Sequence, residues 1–180
     1  LSVGAVVPFA KAGVGAIATQ SWANLNYGEH GLEMLENGFT PHEVLEELVR
    51  NDNSSALRQV GIVDAQGRSV TFTGEDCYDW AGGSAGDNFA AQGNILVDQH
   101  TLEAMESTFL QTPGSLAERL LASLLAGDAA GGDSRGKQSA ALLIVKENGS
   151  YGGYTDRYID LRVDDHADPV KELARLLKLH

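Results

Sequence analysis

An α+β fold of antiparallel sheets covered by helices is what the 180-residue sequence predicts. Strand-like runs come as adjacent pairs joined by turn residues, and helix-like runs also come in pairs. No strand alternates with a single helix in the way a wound parallel sheet requires. At this length the chain reads as one domain over 1–180, since domains cluster at ~100–200 residues.

Residues 3–7 and 14–20 are rich in small and β-branched side chains, and Pro8 and Gly13 bound the link between them, which predicts a hairpin. Residues 31–37 predict a short helix closed by Gly38, the residue that best adopts the left-handed cap. Thr40-Pro41-His42-Glu43 opens a second helix with a capping box and a proline in the first helical position. Val44, Leu45, Leu48 and Val49 form its apolar face. Residues 59–64 and 69–73 predict another hairpin across Ala65-Gln66-Gly67-Arg68, and residues 87–92 one further strand. Asp98 is placed to cap a helix carrying Leu102, Met105 and Phe109. Ser115-Leu116-Ala117-Glu118 is a second capping box, starting a helix through Leu120, Leu121, Leu124 and Leu125 that stops at Gly127. Strands over 139–146 and 157–163 follow, with Asn148-Gly149 as a turn after the first. Asp168-Pro169 then opens a last helix that buries Leu173, Leu176 and Leu177.

A net charge of −12 argues against nucleic acid, whose phosphates need a basic surface, and against anionic membranes. No stretch approaches the ~18 consecutive apolar residues of a membrane span. The segment 1–17 is interrupted by Pro8 and Lys11 and has no basic leader, so it does not read as a signal peptide. A single cysteine excludes an intrachain disulfide and fits a reducing compartment, which leads us to expect a cytoplasmic protein. Cys77 sits among Glu75, Asp76 and Asp79, which disfavour its thiolate, so it reads as inert. His30, His42, His100 and His180 are scattered without metal-ligand spacing. Asp164, Asp165, His166 and Asp168 form the one dense ligand-type cluster, but Asp168 is better explained as a helix cap. No metal or other cofactor is expected.

Candidate binding chemistry concentrates in the loop 131–139, where glycines precede Asp133, Arg135, Lys137, Gln138 and Ser139 at the mouth of an apolar strand. Gly131, Gly136 and Lys137 have P-loop spacing, but a helix precedes the loop and a strand follows it. That is the reverse of a phosphate cradle, and Gln138 stands where the metal-binding hydroxyl belongs. The loop could instead hold a carboxylate or amide, or be a solvated turn. Thr19, Gln20, Asn24 and Asn26, after the second predicted strand, could orient a substrate amide or make ordinary loop hydrogen bonds. Gln92 and Asn94 flank Gly93 at a strand end, where an asparagine could donate to an oxyanion or simply form a turn.

Several segments taken together carry a family resemblance. They are Val3-Gly4-Ala5-Val6-Val7-Pro8, residues 12–20, Asn26-Tyr27-Gly28, Gln92-Gly93-Asn94, the loop 131–139, and residues 151–166 with Asp156-Arg157-Tyr158-Ile159-Asp160. In that order, over nearly the whole chain, they resemble the bacterial and archaeal family called domain of unknown function 1028. The resemblance implies a four-layer αββα Ntn-hydrolase-like sandwich of antiparallel sheets, and no established reaction. In an Ntn hydrolase the nucleophile is an N-terminal Thr, Ser or Cys whose own α-amino group serves as base. Family members resemble one another in carrying a further N-terminal segment with a first strand ahead of the position of Leu1, which itself has no nucleophilic atom. The chain is therefore expected to lack that segment.

Two expectations follow. One is an Ntn-type amidohydrolase for a small amide or peptide-like substrate, its oxyanion held by Gln92, Asn94 or backbone amides, with Ser139 a further polar candidate. The residues 133–139 would then hold the charged end of the substrate. The other is a non-catalytic protein of the same fold that binds a small molecule or serves a structural role. A homodimer suits a two-sheet fold of this kind, though no sequence feature demands one.

Overall fold

The computed structural model describes residues 3–180. Strands β1 (Pro8–Lys11) and β2 (Gly15–Ser21) form the first hairpin, followed by helices α1 (Asn26–Glu36) and α2 (Pro41–Arg50). Strands β3 (Arg58–Asp64) and β4 (Ser69–Thr73) complete a four-stranded antiparallel sheet in the order β1-β2-β3-β4. Two further antiparallel hairpins exist, β5 (Gly82–Gly86) with β6 (Phe89–Gly93), and β7 (Ala140–Val145) with β8 (Arg157–Val163). Helices α3 (Gln99–Gln111) and α4 (Leu116–Ala129) separate these hairpins, and α5 (Pro169–Leu177) ends the chain.

Strand alternation divides the four-stranded sheet into two chemically distinct faces. Ile17 and Thr19 on β2 stand opposite Ile62 and Val60 on β3, which in turn stand opposite Val70 and Phe72 on β4. Between its polar ends at Ser21, Arg58 and Asp64 that face is apolar apart from Thr19, and it packs with Tyr27, Met34 and Leu35 of α1 and Val44 and Leu48 of α2. The other face carries Ala16, Ala18 and Gln20 opposite Val63, Gly61 and Gln59, with Ser69, Thr71 and Thr73 beyond. These are small or amide side chains, so a second layer can approach closely. The β5–β6 hairpin does so: a Cβ on Gly83 would sit 2.7 Å from Thr71 Oγ1, and one on Gly61 would overlap the Gln92 amide. A second core joins β7–β8 to α4 and α5 through Leu121, Leu142, Ile144, Ile159 and Leu173. Helix α3 packs on α4 and on the β5–β6 hairpin. Helices α1 and α2 thus cover one face of the four-stranded sheet, and the β5–β6 hairpin, backed by α3, packs on the other.

The capping boxes form as expected: the Thr40 hydroxyl accepts from Glu43 N, and the Ser115 hydroxyl from Glu118 N. Asp98 caps α3 by accepting from His100 N at 2.8 Å. Other expectations need correction. The strand predicted over 3–7 is a 3-10 turn at Val3–Ala5, and the strand begins at Pro8 instead. Pro8 lies on an edge strand at its first residue, where a missing N–H is harmless. Helix α1 starts at Asn26 rather than near residue 31, because Gly28 and Gly31 serve close packing against Phe9 and Ile17 rather than breaking the helix. The predicted strand over 87–92 is β6, and its partner β5 went unpredicted. Helix α4 passes through Gly127, which is buried against Met105, and ends at Ala129. Asp168 makes no side-chain cap on α5; its carboxylate is bound by Lys137 and Lys171 instead.

Candidate functional site

Between the four-stranded sheet and the β5–β6 hairpin, the side-chain amide of Gln59 is the centre of a polar network. Gln59 is fully buried. Its Nε2 lies 2.9 Å from Thr73 Oγ1, 3.1 Å from Gly82 O and 2.8 Å from Gly93 O. Its Oε1 accepts from Gln20 Nε2 at 2.8 Å and from Asn94 Nδ2 at 3.1 Å. The arrangement follows from register: Gln20, Gln59 and Thr73 are consecutive cross-strand partners on the inter-sheet face. Gln92 donates from Nε2 to Ala18 O at 3.0 Å.

The network leaves unspent capacity. An amide has two donor hydrogens and an accepting oxygen. Gln20 and Asn94 each commit one N–H to Gln59 and have their own oxygens open, while Thr73 accepts from Gln59 and keeps its O–H to donate. Backbone strain marks the same place. Ser21, directly after Gln20, has φ +68°, and Ile95, directly after Asn94, has φ +57°. A β-branched residue in that region is an outlier that surrounding structure must hold. For Ile95 the hold is Ile95 N to Tyr78 O at 3.0 Å and Ser134 N to Ile95 O at 2.8 Å. The second bond ties the loop 131–139 to the strand end that presents Asn94, reinforced by Val97 N to Gly132 O at 3.0 Å.

The charged groups of that loop are engaged within the protein. Arg135 pairs with Asp133 at 2.6 Å, and Lys137 reaches Asp128 at 2.7 Å and Asp168 at 3.0 Å. The guanidinium holds Asp133 below the usual carboxylate range, and the two carboxylates raise the Lys137 ammonium. Gln138 donates to Asp165 at 3.1 Å. Ser139 immediately precedes β7.

The group Thr19, Gln20, Asn24 and Asn26 is divided by the sheet. Only Gln20 enters the inter-sheet network. Thr19 is buried on the helix side, where its hydroxyl donates to Asn24 O at 3.3 Å. Asn24 and Asn26 line a cleft between α1 and α2. In that cleft Asp52 accepts from Asn24 Nδ2 at 3.0 Å, from Ser54 N at 2.9 Å and from Arg58 Nε at 2.8 Å. Arg58 and these amides push its pKa far below the usual carboxylate range. Gln59, Thr73 and Asp52 were absent from the sequence candidates. Gln59 alone had a readable signal: a wide amide at a position where strand alternation demands burial.

Cys77 is buried and donates from Sγ to Arg58 O at 3.4 Å. Asp165 and Asp168 are taken up by Gln138, Lys137 and Lys171, and His166 Nδ1 accepts from Asp168 N at 2.9 Å. Among the described residues no three His, Cys, Asp or Glu side chains gather as metal ligands, and no helix is long and apolar enough to cross a membrane.

Fold and site together define a layered protein whose described residues form antiparallel sheets and five α-helices, with an amide-lined seam between sheets. The chain belongs to the family of unknown function DUF1028, whose model matches residues 1–173. It is similar to a protein of the same family from Silicibacter pomeroyi, known from a crystal structure, at 28% identity and a TM-score of 0.88. The similarity covers 98% of this chain and 77% of that one. Comparison with curated proteins gives no match.

Proposed function

We propose that this chain is an Ntn-hydrolase-like amidohydrolase domain acting on a small amide or peptide-like compound at the seam between its sheets. The observation that carries the reading is the convergence of Gln20, Gln59, Thr73 and Asn94 on one point, flanked by the strained residues Ser21 and Ile95. A substrate amide can exchange hydrogen bonds with the open oxygens of Gln20 and Asn94 and with the Thr73 hydroxyl. The second Nδ2 hydrogen of Asn94 is the candidate oxyanion donor, a role in which loss of one donor costs about 10²–10³-fold in turnover. The nucleophile in this chemistry is a Thr, Ser or Cys with a free α-amine. We place such a protein in the cytoplasm, as a single domain that pairs as a homodimer.

A non-catalytic, ligand-binding role is the second reading. It is favoured by the loop 131–139, whose cations are already neutralised by Asp133, Asp128 and Asp168 and so leave no free charge for a substrate. The test begins with the protein purified from its natural host, its first residue read by mass, offered a panel of small amides. Turnover that depends on an N-terminal Thr, Ser or Cys and falls with Asn94→Ala supports catalysis. Saturable amide binding without turnover from that same material establishes the second reading instead.

A further inference from the structure

Strand β8 is the edge of a two-stranded sheet. It pairs with β7 along one side, and its buried face packs on α5. Among the described residues no strand pairs with its other side, so a row of backbone N–H and C=O groups is presented to another chain. Monomers blunt such an edge with proline or with repelling charge. Arg157–Val163 holds no proline, and its charges alternate in sign through Arg157, Asp160 and Arg162 to Asp164. One irregularity, beside Tyr158, leaves Ile159–Val163 in regular pairing, with Leu161 at its centre.

The order of the charges selects a partner. A two-fold axis normal to the sheet makes β8 an antiparallel neighbour of itself and keeps every side chain on its own face. Residues opposite one another must then share a face, so the axis passes through a residue rather than between two. With Leu161 on the axis, Asp160 faces the second copy's Arg162, Arg162 faces the second copy's Asp160, and Ile159 faces the second copy's Val163. Moving the axis to residue 160 sets Asp160 against itself. Moving it to residue 162 sets Arg162 against itself and Asp160 against Asp164. Opposite charges across strands attract and like charges repel, so one register is favoured over its neighbours. Asp160 and Arg162 are exposed, on the face turned away from α5. Within the chain Asp160 holds Arg157 at 2.8 Å and Asp164 holds Arg162 at 2.9 Å. A second copy continues this alternation across the strands.

Apolar surface gathers beside the same edge. Tyr151, Tyr154 and Leu179 are the most exposed large apolar side chains described, at 100%, 89% and 72%. Both tyrosines sit on the β7–β8 connection, which is fixed by Ser150 N to Thr155 O at 3.0 Å and Thr155 N to Ser150 Oγ at 2.8 Å. Leu179 adjoins His180, whose ring meets that of Tyr158 on β8 edge-on at 5.7 Å. Tyrosines are enriched where proteins meet. A short strand pair is small against the roughly 1,200–2,000 Å² that stable interfaces bury, and these side chains are the apolar area placed to add to it.

We propose that β8 is the homodimer interface, two copies joining antiparallel through Ile159–Val163 with Leu161 on the two-fold axis. The inference rests on the homodimer of the preceding section, to which it gives a surface, and is independent of the chemistry at the seam.

Sedimentation velocity of the full chain reads the association, with far-UV circular dichroism as the check on folding. Asp160→Arg and Arg162→Asp each turn two attractive contacts into two repulsive ones, and each should weaken the dimer about tenfold or more. An equimolar mixture of the two variants restores both opposite-charge pairs and should recover the dimer, which a loss through misfolding does not. Leu161→Cys meets its own copy across the axis, where antiparallel Cα atoms stand about 4.5–5.5 Å apart, within disulfide reach. Oxidised Leu161→Cys should therefore run as a covalent dimer, whereas Asp160→Cys, set off from the axis, should not. If neither charge variant folds, the two cysteine variants decide. A parent dimer that both charge variants leave intact would overturn the interface alone. So would a mixture of folded variants that stays monomeric, or cross-linking no better at residue 161 than at residue 160. A monomeric parent would overturn the homodimer and this interface together.

Discussion

Replacing Gln59 by leucine tests the amide network most directly. The change keeps approximate volume and removes about four hydrogen bonds: two from the Nε2 hydrogens, shared among Thr73 Oγ1, Gly82 O and Gly93 O, and two accepted by Oε1 from Gln20 and Asn94. At about 1 kcal/mol net per bond the gross loss is about 4 kcal/mol. Leucine returns about 1–2 kcal/mol through burial of its apolar surface. The expected destabilisation is therefore about 2–3 kcal/mol, a large share of the roughly 5–15 kcal/mol that holds a domain together. For a chain of this size that lowers Tm by about 5–10 °C. Urea unfolding followed by Trp22 and Trp80 fluorescence reads the change, with m required to stay constant. Gln20→Ala, which removes one bond from the same hub, should cost about 1 kcal/mol. If Gln59→Leu falls within about 1 kcal/mol of the parent, or no further than Gln20→Ala, the seam is not organised around Gln59.

Three other outcomes are expected. Asp52→Ala should cost about 3 kcal/mol at neutral pH, because Arg58 is left largely buried without its counter-ion. Since the folded pKa of Asp52 is depressed, its contribution is present above its unfolded pKa near ~3.9 and lost as pH falls below it; acid titrations of stability for parent and variant should converge there, and parallel curves would contradict the assignment. Thr40→Ala should destabilise by about 1 kcal/mol through loss of the α2 cap, measured by chemical denaturation. Gly61→Ala should cost about 1–3 kcal/mol, since its Cβ overlaps Gln92 Oε1 and breaks the Gln92 bond to Ala18 O; an unchanged melting temperature would mean that the layers can separate freely.

Local chemistry explains which parts of this fold are readable in the sequence. Thr40 with Glu43 and Ser115 with Glu118 announce helix starts because a capping box acts through neighbours in sequence. The β3–β4 hairpin and the β7–β8 strands are legible from their β-branched runs. Strand β5, Gly-Gly-Ser-Ala-Gly, carries no intrinsic strand signal; its conformation comes from close approach to Thr71 and Ser69 in the neighbouring layer. Gly28 and Gly31 hide the start of α1 for a related reason: their value lies in what they let Phe9 and Ile17 touch. The seam is half legible. Gln20, Gln92 and Asn94 stand beside turn-like glycines or a strand end, whereas Gln59 and Thr73 become visible only once register places them side by side. Asp133, Arg135 and Lys137 attract notice as a charged glycine loop, but sequence cannot show that each finds its counter-charge within the protein.

The sparse side chains of the β5–β6 hairpin also govern how the molecule breathes. Phe89 is the one large apolar residue in either strand, so little hydrophobic area fastens the hairpin, and polar links such as Ser69 Oγ to Gly86 O and Gln59 to Gly82 O do much of the holding. A segment attached in this way opens at a lower free energy than the sheet beneath it. Its backbone amides should therefore exchange with deuterium well before those of β2 and β3. Each excursion uncovers Gln20, Gln59 and Asn94 to solvent without unfolding the rest of the chain, so traffic into the seam is timed by a cooperative local melting rather than by the width of a permanent opening.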